Sequence, residues 1–86
     1  MNTLTNETAA QFVYDAAIRH FTQSHNIWAG DARMMKTMTA NYLDLIKIAN
    51  LIKNDQAVKA RSKMCKLDPE VQEDIPESVW AHCDII

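Results

Sequence analysis

Glycine and proline are scarce in this chain of 86 residues, which contains one glycine and two prolines. These residues mark most tight turns, and a β-sandwich or β-barrel needs a turn signal about every ten residues. The chain can therefore form few tight turns, at Gly30, Pro69 and Pro76. Helix-forming residues such as Ala, Leu, Met and Lys are frequent. The composition, with 48% hydrophobic and 23% charged residues, is typical of a globular protein. We expect one all-α domain that covers residues 1–86.

Hydrophobic periodicity predicts a compact helical bundle. Thr5 or Asn6 can cap the first helix, and Asp31, which follows the glycine, can cap the second. Two short helical turns near the C-terminus each begin at a proline, a residue favoured at the first helical position. Three main helices and these two turns are expected at about residues 7–24, 32–53, 56–66, 69–74 and 76–83.

The second predicted helix has the most hydrophobic face of the chain. Leu43 and Leu51 lie outside this face, among polar residues. Ile27 and Trp28, just before the helix, are too apolar for an exposed loop, so we expect them to close the end of the bundle. The face itself has alternating spacings of three and four residues, which is typical of a bundle core. Its members are Met35, Met38, Tyr42, Leu45, Ala49 and Ile52.

Charge is distributed unevenly along the chain, although the formal net charge is only −2. Residues 33–66 contain eight of the nine basic side chains and two acids, whereas residues 67–86 contain six acids and no base. Two interpretations remain open. Either the two segments neutralise each other, inside one fold or across a homo-oligomer, or each meets an external partner of opposite charge.

Residue types suited to metal binding and covalent catalysis are present, but they do not form a known pattern. His20 and His25 are five residues apart, so they do not share a helical face as i, i+4 ligands do. His20 falls on the apolar face, where we expect it at the core edge with one hydrogen bond. No elbow glycines flank Ser24, Ser62 or Ser78, and no glycine-rich phosphate loop occurs. We therefore expect no metal, no cofactor and no enzymatic activity.

Neither a secretory signal nor a membrane span is predicted from this sequence. The first ten residues lack the basic and apolar regions of a signal, and Asp44 and Lys47 interrupt the longest apolar run. We therefore expect a cytoplasmic protein without membrane contact. In a reducing compartment, Cys65 and Cys83 are expected to be free thiols.

Apolar side chains outside the expected core favour a function in binding. Phe12 lies among the polar residues of the first helix, and we expect it to join Leu43, Leu51 and Trp80 in a partner-binding patch. The apolar residues 85–86 are expected either to pack against the rest of the protein or to form an exposed surface that adheres to other molecules. The sequence thus predicts a small non-enzymatic interaction protein that binds and modulates a macromolecular partner, as a homo-oligomer. Chains of this kind are commonly regulators, adaptors or inhibitors, often encoded by phages or mobile elements.

The alternative is an electrostatic binder of nucleic acid or nucleotides that uses residues 33–66. The third predicted helix carries Lys59, Lys63 and Lys66 on one stripe and Arg61 on another side. It follows a helix and a short turn, as a recognition helix does. Few Asn, Gln or Ser residues accompany these basic side chains. Contact with the phosphate backbone therefore fits better than recognition of a nucleotide sequence.

Overall fold

The computed structural model describes residues 4–84, and this part of the chain contains five α-helices and no strand. The expected all-α bundle is therefore confirmed. The expectation for residues 85–86 lies outside the described residues. The helices are α1 (Asn6–Trp28), α2 (Ala32–Lys53), α3 (Ala57–Met64), α4 (Pro69–Asp74) and α5 (Glu77–Cys83).

The two long helices form an antiparallel hairpin. α1 has 23 residues and α2 has 22, which corresponds to about 34 and 33 Å at the usual rise per residue. The hydroxyl of Tyr14 donates to the side-chain oxygen of Asn50 in one half of the hairpin. The rings of Phe21 and Tyr42 pack nearer the turn, with centroids 5.0 Å apart. The hairpin makes the molecule elongated, with extents of 43 × 20 × 20 Å.

Local hydrogen bonds explain where the long helices begin and how α2 ends. The hydroxyl of Thr5 accepts from the backbone N–H of Thr8, and the carboxylate of Asp31 accepts from that of Met34, both at 3.1 Å. Asp55, between α2 and α3, has a φ of 62°. Aspartate tolerates this left-handed conformation, so the chain turns here without a glycine.

The hydrophobic core occupies only the half of the hairpin that lies away from the α1–α2 turn. α3, α4 and α5 have eight, six and seven residues, or about 12, 9 and 11 Å each. Helices of this length cannot cover both ends of a hairpin that is more than twice as long. On the long helices, the core consists of Ala9, Ala10, Val13, Ala17, Leu45, Ile48, Ala49 and Ile52. The short helices and their connections contribute Ala57, Ala60, Met64, Leu67, Val71, Ile75, Val79 and Cys83.

Ile27 and Trp28 do not close the end of the bundle, contrary to the sequence-based expectation. α1 continues to Trp28 and carries both side chains beyond the core, where Ile27 is 69% and Trp28 is 37% exposed. No residue from His25 to Asp44 is buried. The apolar face of α2 is therefore fully buried only in its second half, from Leu45 onward, and is half-buried in its first half.

Candidate interaction surface

The end of the hairpin beside the α1–α2 turn carries hydrophobic side chains that are exposed or only half-buried. Two belong to the last turn of α1, and three half-buried methionines belong to the first two turns of α2. Methionine is flexible and polarisable, so such a surface can adapt to the shape of a partner. We call the following five residues the hairpin end: Ile27, Trp28, Met34, Met35 and Met38.

A groove connects the hairpin end with α4. Its volume is about 220 Å³. The apolar part of its lining comes from Ile27, Trp28 and Met38, and the acidic part from Glu70 and Asp74. His20, Gln23 and Ser24 complete the lining, so the groove combines apolar side chains with polar and acidic ones.

A partly buried polar contact holds α4 against α1 beside this groove. His20 is 9% exposed, and its Nδ1 lies 2.9 Å from Oδ2 of Asp74. Nη2 of Arg19 donates to the backbone carbonyl of Asp74 at 3.4 Å. The expectation of a histidine at the core edge with one hydrogen bond is confirmed. Nε2 of His20 is buried and has no hydrogen-bond partner among residues 4–84.

Ser24, His20 and Asp74 are the residue types of a catalytic triad, but they do not have its geometry. The hydroxyl of Ser24 donates to the backbone carbonyl of His20, one helical turn earlier, at 2.7 Å. A nucleophilic serine instead donates to the imidazole that removes its proton. The contact of Ser24 with the carbonyl of His20 is common inside helices and does not activate the serine as a nucleophile. The contact between His20 and Asp74 joins α1 and α4.

The four predicted partner-binding residues differ in burial and in their position along the fold. Leu51 and Trp80 are half-buried and pack against the core. The expectation that Leu51 lies outside the core is therefore wrong, because the core cluster extends around α2 at this level. Phe12 and Leu43 are 37% and 51% exposed. Phe12 lies in the half of the hairpin that holds the core, whereas Leu43 lies nearer the turn, and a role for them in binding stays a prediction.

The predicted electrostatic residues lie on α3 or directly after it. Lys59, Lys63 and Lys66 are exposed. Arg61 faces another way, and its Nη1 lies 3.9 Å from Oδ1 of Asp84. No acidic side chain within residues 4–84 forms an ion pair with the three lysines. The acidic side chains of residues 67–84 therefore do not neutralise the three lysines through direct contacts.

Reasoning from sequence missed the hairpin end because periodicity assigns every position of an apolar face to the core. Helix length was the signal that could have revealed it. The three short helices predicted after Lys53 are too short to cover both long helices from end to end. Glu70 could not have been found in this way, because its position beside Trp28 depends on how α4 packs against α1.

Comparisons of this chain with protein-family models, curated proteins and solved structures give no match. Within residues 4–84, no helix combines the length and hydrophobicity needed to cross a membrane. In the same part of the chain, no group of three or more His, Cys, Asp or Glu side chains is placed to hold a metal ion. The surfaces described above are therefore the basis for inferring a function.

Proposed function

We propose that this protein is a small non-enzymatic interaction protein that binds a macromolecular partner through the hairpin end. The supporting observation is that no residue from His25 to Asp44 is buried, although the apolar face of α2 begins within this stretch. Globular proteins normally cover such a face. A partner that binds here buries the exposed part of this face. By occupying the partner's surface, the protein acts as a cytoplasmic regulator, adaptor or inhibitor.

The side chains of the hairpin end are well suited to supply binding energy. Ile27 is 69% exposed, and complete burial of an aliphatic side chain of this size stabilises a complex by roughly 1.5–3 kcal/mol. Trp28 adds a large, rigid ring, and tryptophan is enriched among the residues that dominate interface energies. Both side chains are presented on a regular helix, so little conformational freedom of the backbone is lost when a partner binds.

The first test compares partner binding by the wild type, Trp28→Glu and the control Val58→Glu. Val58 lies on α3 and is 72% exposed, so the control adds the same charge away from the hairpin end. Partners are captured from the native host, and the affinity is then measured with purified components. We expect Trp28→Glu to raise the dissociation constant by at least about tenfold, while Val58→Glu leaves it unchanged.

Folding of the three proteins is verified by far-UV circular dichroism and by their urea midpoints. A partner that binds the wild type and Trp28→Glu equally well contradicts the proposed surface. So does an equal loss of binding in the Val58→Glu variant. If the wild type captures no protein beyond those captured by Trp28→Glu, the hairpin end is not a binding surface for such proteins.

A second candidate function is electrostatic binding of nucleic acid or nucleotides through Lys59, Lys63 and Lys66. The observation that favours it is that these exposed lysines lack direct acidic partners in the described chain. Three phosphate contacts would reduce the affinity about fortyfold between 50 and 200 mM salt. This electrostatic surface is separate from the hairpin end, so the two functions can be tested independently.

The test for this second function is a gel-shift or fluorescence titration with a labelled oligonucleotide. We expect Lys59→Glu/Lys63→Glu to abolish binding, because it reverses two charges on one stripe. The variant Lys36→Glu/Lys53→Glu, which changes the net charge equally at two exposed positions of α2, is expected to retain most of the affinity. No shift by the wild type at low salt, or an equal loss in both variants, excludes this function.

A further inference from the structure

A second groove lies between α4 and α5, and it shares no lining residue with the groove beside the hairpin end. Its volume is about 500 Å³. Pro69, Pro76 and Trp80 contribute apolar surface to its lining, and Glu73 and Glu77 contribute two carboxylates. We call it the α4–α5 groove. It has the apolar lining and the few charged groups that are typical of a binding site for a ligand.

The backbone around the α4–α5 groove is held in place by the core. Val71 on α4 and Val79 on α5 are 1% and 0% exposed, and Ile75 between the two helices is 3% exposed. Nε2 of Gln72, whose side chain also lines the groove, donates to the carbonyl oxygen of Leu67 at 3.0 Å. The groove is therefore formed before a ligand binds, and little free energy is lost in reorganising it.

The charge of the α4–α5 groove is negative, and direct contacts do not neutralise it. Glu73 and Glu77 are exposed, and neither forms an ion pair within residues 4–84. No basic side chain from this part of the chain lines the groove. Arg19 and Arg61 contact residues 74 and 84, which are outside the lining. Charge complementarity therefore favours a positively charged ligand.

Local helix stability explains one of the two carboxylates but not the other. Glu77 lies in the first turn of α5, where a negative charge is favourable. Glu73 lies in the last turn of α4, where a negative charge is unfavourable. The neighbouring Asp74 has a positive or hydrogen-bonding partner in His20, whereas Glu73 has no ion-pair partner in the described chain. A cationic ligand in the groove supplies that partner.

Arginine is the side chain that fits this combination of apolar and acidic lining. Its aliphatic part can cover apolar surface while its charged end reaches a carboxylate. Its guanidinium donates in a planar fork to carboxylates and stacks on aromatic rings, which the ammonium of lysine does less well. A metal ion would contact the carboxylates alone and leave the apolar lining uncovered. The groove is also long enough for the residues on either side of an arginine, so a peptide segment fits better than a free amino acid.

We propose that the α4–α5 groove binds an arginine-containing segment of a partner protein. The guanidinium pairs with Glu73 and Glu77, and the aliphatic part of the arginine and its apolar neighbours lie against Trp80 and the two prolines. This proposal does not depend on the hairpin end. A protein with two separate binding surfaces can hold two partners at once, which is the property that defines an adaptor.

The experiment titrates the full chain with a short fluorescein-labelled peptide in which arginines are separated by apolar residues. Matched peptides carry lysine or glutamine in place of every arginine. We expect the arginine peptide to bind at low salt, the lysine peptide to bind more weakly and the glutamine peptide not to bind. Glu73→Gln/Glu77→Gln is expected to raise the dissociation constant of the arginine peptide by at least about tenfold.

Two further variants locate the bound peptide. Glu7→Gln/Glu70→Gln removes the same charge from exposed positions outside the α4–α5 groove, and it is expected to retain most of the affinity. In Trp28→Phe, Trp80 is the only tryptophan, so its fluorescence is expected to change when the arginine peptide binds. Far-UV circular dichroism and urea midpoints verify that all variants are folded.

Five outcomes overturn the proposal. They are no binding of the arginine peptide up to about 1 mM, equal binding of the glutamine peptide, unchanged affinity in Glu73→Gln/Glu77→Gln, an equal loss in the control double variant, and binding that leaves the fluorescence of Trp80 unchanged. Self-association of the wild type that Glu73→Gln/Glu77→Gln abolishes would assign the groove to a second copy of the chain instead. Trp28→Glu is expected to bind the arginine peptide as the wild type does, so each of the two binding surfaces can fail its test without the other.

Discussion

Cys65 and Cys83 are both free thiols, but they lie in different surroundings. Cys65 is exposed after the end of α3, whereas Cys83 is 1% exposed within the core. Burial raises the pKa of the Cys83 thiol above its ordinary value, and the positive charge of Arg61 opposes this effect without cancelling it. The thiolate of Cys83 is therefore disfavoured as long as the protein is folded.

This difference predicts selective alkylation and a loss of stability at alkaline pH. In the folded protein, iodoacetamide should modify Cys65, and Cys83 should react only in urea, as measured by peptide mass spectrometry. Because unfolded Cys83 ionises at lower pH than folded Cys83, its contribution to stability is present below the ordinary thiol pKa and decreases as the pH rises above it. Urea unfolding should show this decrease in the wild type and in Cys65→Ser, and a smaller one in Cys83→Ala. Equal alkylation rates in the folded protein would contradict the burial of Cys83.

At the scale of helices, α4 depends on contacts with its neighbours. It has six residues, and isolated helices of fewer than about 12 residues are only marginally stable in water. Val71 anchors it in the core with 1% exposure. Nε2 of Gln72 donates to the carbonyl oxygens of Met64 and Leu67 at 3.1 and 3.0 Å, which satisfies acceptors at the end of α3. The contact between His20 and Asp74 then ties α4 to α1.

Substitution of Asp74 tests this last contact. Asp74→Ala removes the partner of His20 Nδ1 and leaves a buried imidazole without a side-chain hydrogen bond in the described chain. We expect the free energy of unfolding, measured by urea titration, to fall by about 1–3 kcal/mol. The control Glu73→Ala, at an exposed neighbouring position, should change it by less than about 0.5 kcal/mol. Similar losses in both variants would contradict a specific contribution of the contact between His20 and Asp74.

At the scale of the whole molecule, the lengths of the helices determine which surfaces are exposed. A long hairpin and three short helices share one core at one end. In the proposed function, a partner covers the other end of the hairpin. Lys59 and Lys63 on α3, and Lys66 directly after it, lie on a different surface and have no direct acidic partner in residues 4–84. The predictions for partner binding at the hairpin end and for polyanion binding therefore concern separate surfaces of one molecule.

Much of the secondary structure could be predicted because its signals are local. α2 spans Ala32–Lys53, the range expected from its cap and periodicity, and α4 begins at Pro69 as expected. The end of α1 was predicted too early, since no helix-breaking residue precedes Gly30 and the helix continues to Trp28. The candidate site was predicted less well. Leu51 lies off the apolar stripe and yet packs against the core. This contact depends on the elements around Leu51, which its own sequence pattern does not describe.

The sequence by itself determined the helices, their caps and their apolar faces, because these features depend on residues within one or two turns of each other. Only the tertiary structure decided which part of each face is covered. It also decided that His20 meets Asp74, 54 residues further along the chain. The physical reason is that burial depends on the relative positions of whole helices, which follow from their lengths and packing. The same hydrophobic pattern therefore forms a core at Leu45 and Ile52 and a half-buried surface at Met35 and Met38.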